Sequence, residues 1–228
     1  MNSKNPSLPA AANWGLVCAL REELGQLRRF EVAVHSRLGL EVHELEIDSE
    51  RVLAAVAGVG KVQAARAATL LLAMLPGTAT RGMLVVGTCG GLTRGLTPGT
   101  LVHCGVAIQT DFARREGRSV ESDPKLQAAW RRIAPGSVAS FLTADRPVLS
   151  VWRRLRLAKA FQGPCVADME TAAVAAVSSA AGVPWAALRA VTDKADNLGA
   201  LAFKLHFPSQ AGRAADTLPG LLEMLSRS

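Results

Sequence analysis

The sequence contains no tyrosine, and aromatic residues make up only 4% of its 228 residues. A surface that stacks nucleic-acid bases needs exposed aromatic rings. We therefore predict no nucleic-acid partner, despite the formal net charge of +7. The arginines occur as scattered pairs along the chain, which is typical of solvated helix faces.

Cysteine and histidine are also scarce, with four residues of each. The cysteines lie far apart without a CxxC pair, and no histidines have the spacing of a metal site, so we predict neither a disulfide framework nor a metal centre. Cys18 and Cys89 lie in apolar segments and are predicted to be buried thiols. The GxSxG and HExxH motifs of serine hydrolases and zinc peptidases are missing.

The apolar runs are short. None reaches the length of about 18 residues that a membrane-spanning helix needs, and residues 1–12 lack the basic-then-apolar order of a signal peptide. We predict a cytoplasmic protein with residues 1–12 as a disordered lead-in. Residues 13–228 have a length that suits one α/β domain.

Strand-like and helix-like segments alternate, which predicts an α/β fold, a three-layer α/β/α sandwich. Segments 40–47 and 52–57 are predicted to form a hairpin, so the central sheet should be mixed. The other predicted strands are 14–20, 83–86, 101–110, 138–142, 165–167 and 185–191. The predicted helices are 21–30, 62–75, 125–133, 151–161, 169–181 and 209–228, the last with Pro219 marking its start or a bend. Loops are predicted for 112–123, as a mobile segment, and from 192 to about 207.

Two acidic motifs stand at neighbouring element ends. Asp168-Met169-Glu170-Thr171-Ala172 opens an alanine-rich helix, and Arg189-Ala190-Val191-Thr192-Asp193 closes an apolar strand. This layout puts two carboxylates near one edge of the sheet, where α/β folds usually hold small ligands. Paired carboxylates in different surroundings can divide acid and binding roles in glycosidic chemistry.

Three other segments have both a structural and a functional interpretation. Gly87-Thr88-Cys89-Gly90-Gly91 follows a strand and is either a tight turn or a loop whose N–H groups meet a ligand. Lys61, after Gly58-Val59-Gly60, is either a solvated helix-start lysine or an anion contact. Glu22 and Glu23 either favour a helix dipole or supply a general base.

Taken in order, these segments resemble the nucleoside phosphorylase and nucleosidase superfamily, and most closely its 5′-methylthioadenosine/S-adenosylhomocysteine nucleosidase branch. The blocks that carry the resemblance span residues 15–196. They are Ala19-Leu20-Arg21-Glu22-Glu23-Leu24, Gly58-Val59-Gly60-Lys61-Val62, Val86-Gly87-Thr88-Cys89-Gly90-Gly91-Leu92, Pro98-Gly99-Thr100-Leu101-Val102 and the two acidic motifs.

The resemblance implies cleavage of an N-glycosidic bond through an oxocarbenium-like transition state. Asp193 matches the acid that protonates the leaving purine, and Glu23 matches the residue that activates the attacking water. Glu170 matches the carboxylate that holds the ribose 2′- and 3′-hydroxyls. The remaining substrate-binding residues implied are Met169 against the sugar, Thr88 and Gly90 in the glycine segment, Val148 and Ala167. No metal or organic cofactor is implied, and a homodimer is expected.

Water and phosphate remain alternative nucleophiles. The phosphorylase branch has arginines where Glu23 and Val85 stand here. A carboxylate at position 23 repels phosphate, which favours hydrolysis. Arg21 nearby keeps the phosphorylase alternative open.

The 5′ substituent of the nucleoside is also open. Pro147 replaces an aromatic residue of the nucleosidase branch, and the Arg-rich loop with Arg114 and Arg115 stands in place of the branch's aromatic-rich loop over the 5′-thioalkyl group. The resemblance therefore allows methylthioadenosine, S-adenosylhomocysteine, a polar 5′ group, or a bulky adenosyl-lipid of the hopanoid type. A non-catalytic nucleoside-binding protein on the same fold is a further alternative, although it would not need all three carboxylates.

Overall fold

The computed structural model describes residues 12–113 and 118–227. The strands in this part of the chain are β1 (Trp14–Cys18), β2 (Glu31–Arg37), β3 (Leu40–Ile47), β4 (Glu50–Val56), β5 (Gly82–Gly91), β6 (Leu101–Gln109), β7 (Ser119–Glu121), β8 (Ser137–Thr143), β9 (Cys165–Asp168) and β10 (Trp185–Asp193). The α-helices are α1 (Lys61–Met74), α2 (Pro124–Ile133), α3 (Val151–Ala160), α4 (Thr171–Ala180), α5 (Gly199–Gln210) and α6 (Leu218–Ser226). Short 3-10 segments occur at Arg21–Phe30, Gly77–Ala79 and Ala215–Thr217.

The strands form one mixed sheet in the order β10-β6-β8-β9-β5-β1-β4-β3-β2, with β7 on the outside of β6. β5 also pairs with β10, so that β5, β10, β6, β8 and β9 close into a ring of strands. β1, β4, β5 and β10 are parallel to one another, and β6, β8 and β9 run in the opposite direction. The predicted α/β fold with a mixed sheet is confirmed, with the closed ring as an addition to the simple sandwich.

Helices cover the sheet on both faces. α1 and α4 pack against each other on one face, and α1 buries Ala64, Ala67, Ala68 and Leu71 at the i, i+3, i+4, i+7 spacing of an amphipathic helix. α2 and α6 pack on the other face, where Trp130 and Leu221 belong to a second apolar core. No helix of the described ranges is long and apolar enough to cross a membrane.

Several predicted elements need correction. Residues 199–207, predicted as part of a loop, belong to α5, which extends to Gln210, and the terminal helix, predicted for 209–228, begins at Leu218 beside Pro219. The glycine segment predicted as a turn after residue 86 continues β5 to Gly91, because β9 and β10 hydrogen-bond to it. β2 was not predicted, and residues 21–30 form 3-10 turns broken at Gly25, whose φ is 52°. β7 lies within the predicted mobile loop 112–123, of which residues 114–117 lie outside the described residues.

The predicted lead-in falls almost entirely outside the described part of the chain, which begins at Ala12. Ala12 itself is buried in the core. The assignment of residues 13–228 to a single domain stays a prediction.

Candidate active site

A cavity of about 430 Å³ lies where β1, β5, β9 and β10 end. Each strand end or the residues just after it contribute to the wall, so segments far apart in sequence meet there. All eight predicted site residues line this cavity: Glu23, Thr88, Gly90, Val148, Ala167, Met169, Glu170 and Asp193. The structure therefore brings the predicted set together in one place.

Gly90 lines the cavity between two other predicted site residues. In the sheet register it lies between Ala167 of β9 and Asp193 of β10. A Cβ at position 90 would lie 3.1 Å from Asp193 Oδ1 and from the Ala195 side chain. The glycine therefore leaves room for the carboxylate of Asp193 at the cavity wall.

Glu23 is buried, with 2% of the residue exposed, and its carboxylate accepts hydrogen bonds from four donors. The backbone N–H groups of Ala19 and Leu20 donate to Oε2, at 2.9 and 3.1 Å. The N–H and hydroxyl of Thr88 donate to Oε1, at 2.9 and 3.0 Å. Burial raises the pKa of Glu23, against the opposing effect of the Arg189 charge and these hydrogen bonds. Glu22, by contrast, is exposed, which fits the structural interpretation for that residue alone.

Gly87 makes the position of Glu23 possible. Its φ is +146°, a conformation that favours glycine, and a Cβ there would lie 2.7 Å from Glu23 Oε1. The glycine segment thus has a packing role that neither the turn nor the ligand-loop interpretation included.

Arg189 is the functional residue that sequence reasoning missed. It lies under the cavity with 2% exposure, and its guanidinium N–H groups donate to Thr88 O at 2.8 Å and Thr171 Oγ1 at 3.1 Å. It also pairs with Asp168 Oδ2 and Glu170 Oε2, each at 3.1 Å. The signal available in the sequence was a single cation inside the apolar strand Trp185–Asp193, which can be buried only with partners.

Glu170 connects this ion-pair network to the cavity. Its Oε1 accepts the N–H of Gly60 at 3.0 Å and its Oε2 accepts from Arg189. Burial raises the pKa of Glu170, the charge of Arg189 lowers it, and the charge of Asp168 raises it again. Because each carboxylate oxygen can accept two hydrogen bonds, both oxygens keep an acceptor site for a ligand hydroxyl.

Asp193 has a different environment. Its Oδ1 accepts the N–H of Ala195 at 2.7 Å, and its Oδ2 lies 2.8 Å from Thr192 Oγ1, which is also 3.3 Å from Cys89 O. Burial raises the pKa of Asp193, while the hydrogen bonds from Ala195 and Thr192 lower it. One hydroxyl proton cannot serve two acceptors at once. The Thr192 hydroxyl therefore donates either to Asp193 Oδ2 or to Cys89 O.

A further part of the cavity wall comes from the segment before α3 and from α5. Pro147 and Val148 line it, as the resemblance implied, and α5 adds Ala200, Phe203 and Lys204. The rings of Phe203 and Phe207 lie 4.8 Å apart between centroids. An aromatic ring is therefore present in the cavity wall, from a helix that the sequence analysis had placed in a loop.

Arg21 and Lys61, for which an anion contact was one of the alternatives, are not among the residues that line the cavity. Arg21 is half exposed and lies 3.8 Å from Glu41. Lys61 Nζ pairs with Asp111 at 2.6 Å. The paired arginines Arg114 and Arg115 lie outside the described residues.

Comparison with known proteins identifies the family. The sequence profile of the phosphorylase superfamily matches residues 13–224. The chain belongs to the phosphorylase superfamily. This confirms the resemblance drawn from the sequence blocks.

Relatives within this superfamily share most of the chain. The chain is 26% identical over 235 residues to 5′-methylthioadenosine/S-adenosylhomocysteine nucleosidase of Haemophilus ducreyi, covering 93% of this chain and 98% of the relative. It is 28% identical over 203 residues to the nucleosidase of the same name from Actinobacillus succinogenes, covering 81% and 86%. The crystal structure of S-adenosylhomocysteine nucleosidase from Streptococcus pyogenes with 5-methylthiotubericidin superposes with a TM-score of 0.86 at 22% identity, over 94% of this chain and 97% of that one. At that identity the structural match supports the shared fold.

Proposed function

We propose that this member of the phosphorylase superfamily is a purine nucleoside N-glycosidase, which hydrolyses the N-glycosidic bond of an adenine nucleoside and releases the free base. The observation that carries the proposal is the placement of three partly or fully buried carboxylates, Glu23, Glu170 and Asp193, around one cavity. Their surroundings differ, which lets them divide the roles of base, binding group and acid. The names of the two bacterial relatives support the same reaction class.

Asp193 is the general acid in this proposal. A purine leaves easily only if its ring nitrogen is protonated, by analogy at N7, as the bond to C1′ breaks. The raised pKa of Asp193 keeps its proton available nearer to neutral pH than an exposed aspartate would. Thr192 and Ala195 fix the orientation of the carboxyl group.

Glu23 is the general base and Glu170 the sugar-binding group. Among the four donors to Glu23, the Thr88 hydroxyl is the one that rotates. A water molecule on the cavity side can take over that bond, donating to Oε1 and accepting from Oγ1. The water oxygen then bonds to C1′, its proton passes to Glu23, and the Asp193 proton goes to the leaving base. Glu170 accepts hydrogen bonds from the ribose hydroxyls, with Met169 against the sugar face.

Hydrolysis is favoured over phosphorolysis by the distribution of charge. A phosphorylase needs cations free to hold a phosphate dianion beside the sugar. Arg189, the cation nearest to the carboxylates, is already bonded to Asp168, Glu170, Thr171 and Thr88. Water, which carries no charge, suits a cavity whose inner end is acidic.

The 5′ end of the nucleoside faces the remaining wall. We propose methylthioadenosine or S-adenosylhomocysteine as substrate, since an apolar wall of Val148, Ala200 and Phe203 suits a thioalkyl group. A second candidate is an adenosyl-lipid of the hopanoid type. The apolar side chains that continue this wall to the protein surface, described below, favour that alternative.

The test is adenine release from methylthioadenosine, S-adenosylhomocysteine and adenosine, each with and without phosphate. Phosphate-independent release is expected, and the relative rates with the three substrates show which 5′ substituent the enzyme prefers. Release that requires phosphate would replace this proposal with the phosphorylase, and tight binding without any release would leave a nucleoside-binding protein. Asp193→Asn serves as the matched inactive control.

The expected homodimer and the absence of a nucleic-acid partner stay predictions. Light scattering on the purified protein measures the mass in solution. A gel-shift experiment with single- and double-stranded DNA checks the second prediction.

A further inference from the structure

Apolar side chains are exposed on α3 and on α5, two helices whose N-terminal ends are joined by a hydrogen bond. On α3, Trp152 is 83% exposed and is followed three residues later by exposed Leu155. On α5 and the residue before it, Leu198, Leu201 and Leu205 are exposed at the i, i+3, i+7 spacing of one helical stripe. We call these five residues the apolar rim.

The apolar rim is continuous with the cavity wall. The start of α3 is joined to the loop before α5, because the N–H of Val151 donates to Asn197 Oδ1 at 3.3 Å. Leu149, just before α3, lines the cavity, and so do Ala200 and Phe203 on α5. The rim therefore borders the side of the cavity where the 5′ end of a nucleoside would lie.

Basic residues lie between and beside the residues of the apolar rim in the sequence. Residues 149–161 contain four arginines and lysines and no acid, and residues 194–206 contain two lysines and one acid, Asp196. Asp196 lies 3.9 Å from Arg154. The basic residues are Arg153, Arg154, Arg156, Lys159, Lys194 and Lys204.

The positive charge next to the apolar rim favours a partner other than a second copy of the chain. A two-fold interface is formed by the same patch on both subunits, so both faces of such an interface would carry the positive charges of Arg156 and Lys159. Like charges at an interface oppose association. A partner with an anionic surface and an apolar interior carries the opposite charge, so its binding is not opposed by this repulsion.

We propose that the apolar rim docks on the surface of an anionic lipid bilayer. Exposed leucines and a tryptophan next to lysines and arginines are the composition of segments that lie in the membrane interface. Lysines and arginines near an anionic leaflet each contribute attraction. Docking places the cavity mouth at the level of the lipid headgroups, so that a nucleoside with an apolar tail reaches the site without leaving the bilayer.

Trp152 provides a direct measurement. The other three tryptophans, Trp14, Trp130 and Trp185, are at most 3% exposed. A change in tryptophan emission on adding vesicles therefore reports on Trp152. We expect a blue shift with vesicles of phosphatidylcholine and phosphatidylglycerol, a smaller one with phosphatidylcholine alone, and loss of the shift in Trp152→Ser. No shift and no co-sedimentation with the anionic vesicles would overturn the proposal.

Matched variants distinguish docking through the apolar rim from non-specific adsorption of the protein to vesicles. Arg156→Gln/Lys159→Gln should weaken binding to anionic vesicles by about fivefold for each charge removed, and Leu201→Ser/Leu205→Ser by at least about tenfold. The controls are Arg131→Gln/Arg132→Gln on α2 and Leu38→Ser, which change exposed residues away from the rim. Equal losses in rim and control variants would refute the assignment of the surface.

The same variants distinguish this proposal from the enzymatic one. Arg156, Lys159, Leu201 and Leu205, the residues changed in these variants, do not line the cavity, so cleavage of adenosine in solution is expected to be unchanged. Vesicle binding without adenosine cleavage would leave the docking surface intact and remove the hydrolase. A concentration-dependent blue shift of Trp152 without lipid would show instead that a second copy covers the rim.

Discussion

Replacing Arg189 with methionine tests the ion-pair network beneath the cavity. Methionine keeps much of the side-chain length and removes a charge that bonds Asp168, Glu170, Thr171 and the carbonyl of Thr88. Asp168 keeps the Thr171 N–H and the Thr143 hydroxyl, and Glu170 keeps only the Gly60 N–H. Two buried carboxylates would therefore lose their cation. Breaking such a buried pair costs about 3–5 kcal/mol of unfolding free energy.

The assay is urea unfolding of Arg189→Met and the unchanged protein over a range of pH. Burial raises the pKa of Glu170, and loss of Arg189 raises it further, so the folded variant binds a proton that the unfolded chain releases. A raised folded pKa gives stability that is present at low pH and lost as pH rises through that pKa. The loss of unfolding free energy in the variant, relative to the unchanged protein, should thus be small at acidic pH and grow as the pH increases.

Two further variants make the result specific. Arg51→Met removes an arginine with a 34% exposed side chain that pairs with Glu44 and Glu46, and should cost less than about 1 kcal/mol. Glu170→Gln added to Arg189→Met should recover part of the loss at high pH, since it removes one of the uncompensated charges. A deficit below about 1 kcal/mol, or one that does not vary with pH, would refute the reasoning.

The remaining predictions concern the reaction. Asp193→Asn should reduce kcat by at least about 10²-fold with ligand affinity retained, and unchanged turnover would remove Asp193 from the mechanism. In the unchanged protein, kcat/KM should decrease at high pH, where Asp193 loses its proton, and at low pH, where Glu23 gains one; the pKa of each group is raised by burial. The pH profile should therefore be bell-shaped, and a flat profile would contradict both assignments. Gly87→Ala should displace Glu23 and lower kcat by about 10²-fold with little change in ligand affinity, measured by kinetics and calorimetry. Glu170→Gln should narrow the preference for ribose over 2′-deoxyribose nucleosides, and an unaltered preference would rule out its sugar-binding role.

The positions of the predicted site residues could be anticipated because they occur in short sequence blocks at the ends of strands. The blocks around Glu23, Thr88, Glu170 and Asp193 converge because their strands are neighbours in the sheet. Arg189 lay within one of these blocks, yet its contacts join separate parts of the chain: it pairs with Asp168 and Glu170 and also donates to the carbonyl of Thr88, 101 residues away. Local patterns hold no record of such contacts.

The errors in the fold have similar causes. α5 was missed because Pro208 lies inside it and its leucines are exposed, so the segment lacks a clear buried stripe. β5 was ended too early because glycines usually weaken strands, whereas here β9 and β10 hold Gly87–Gly91 in the sheet. β2 was missed because its side chains alternate between half-buried and exposed, without a fully buried face.

The closed ring of strands has a consequence for how activity appears during refolding. Glu23 follows β1, Glu170 follows β9 and Asp193 ends β10, and the three come together only when β5 has paired with both β9 and β10. These pairings join distant parts of the chain, and non-local pairing of this kind forms slowly. Helices such as α1 can form from local contacts well before that step. Recovery of catalysis after dilution from denaturant should therefore lag behind recovery of helical circular dichroism, and the length of that lag measures the closure of the ring.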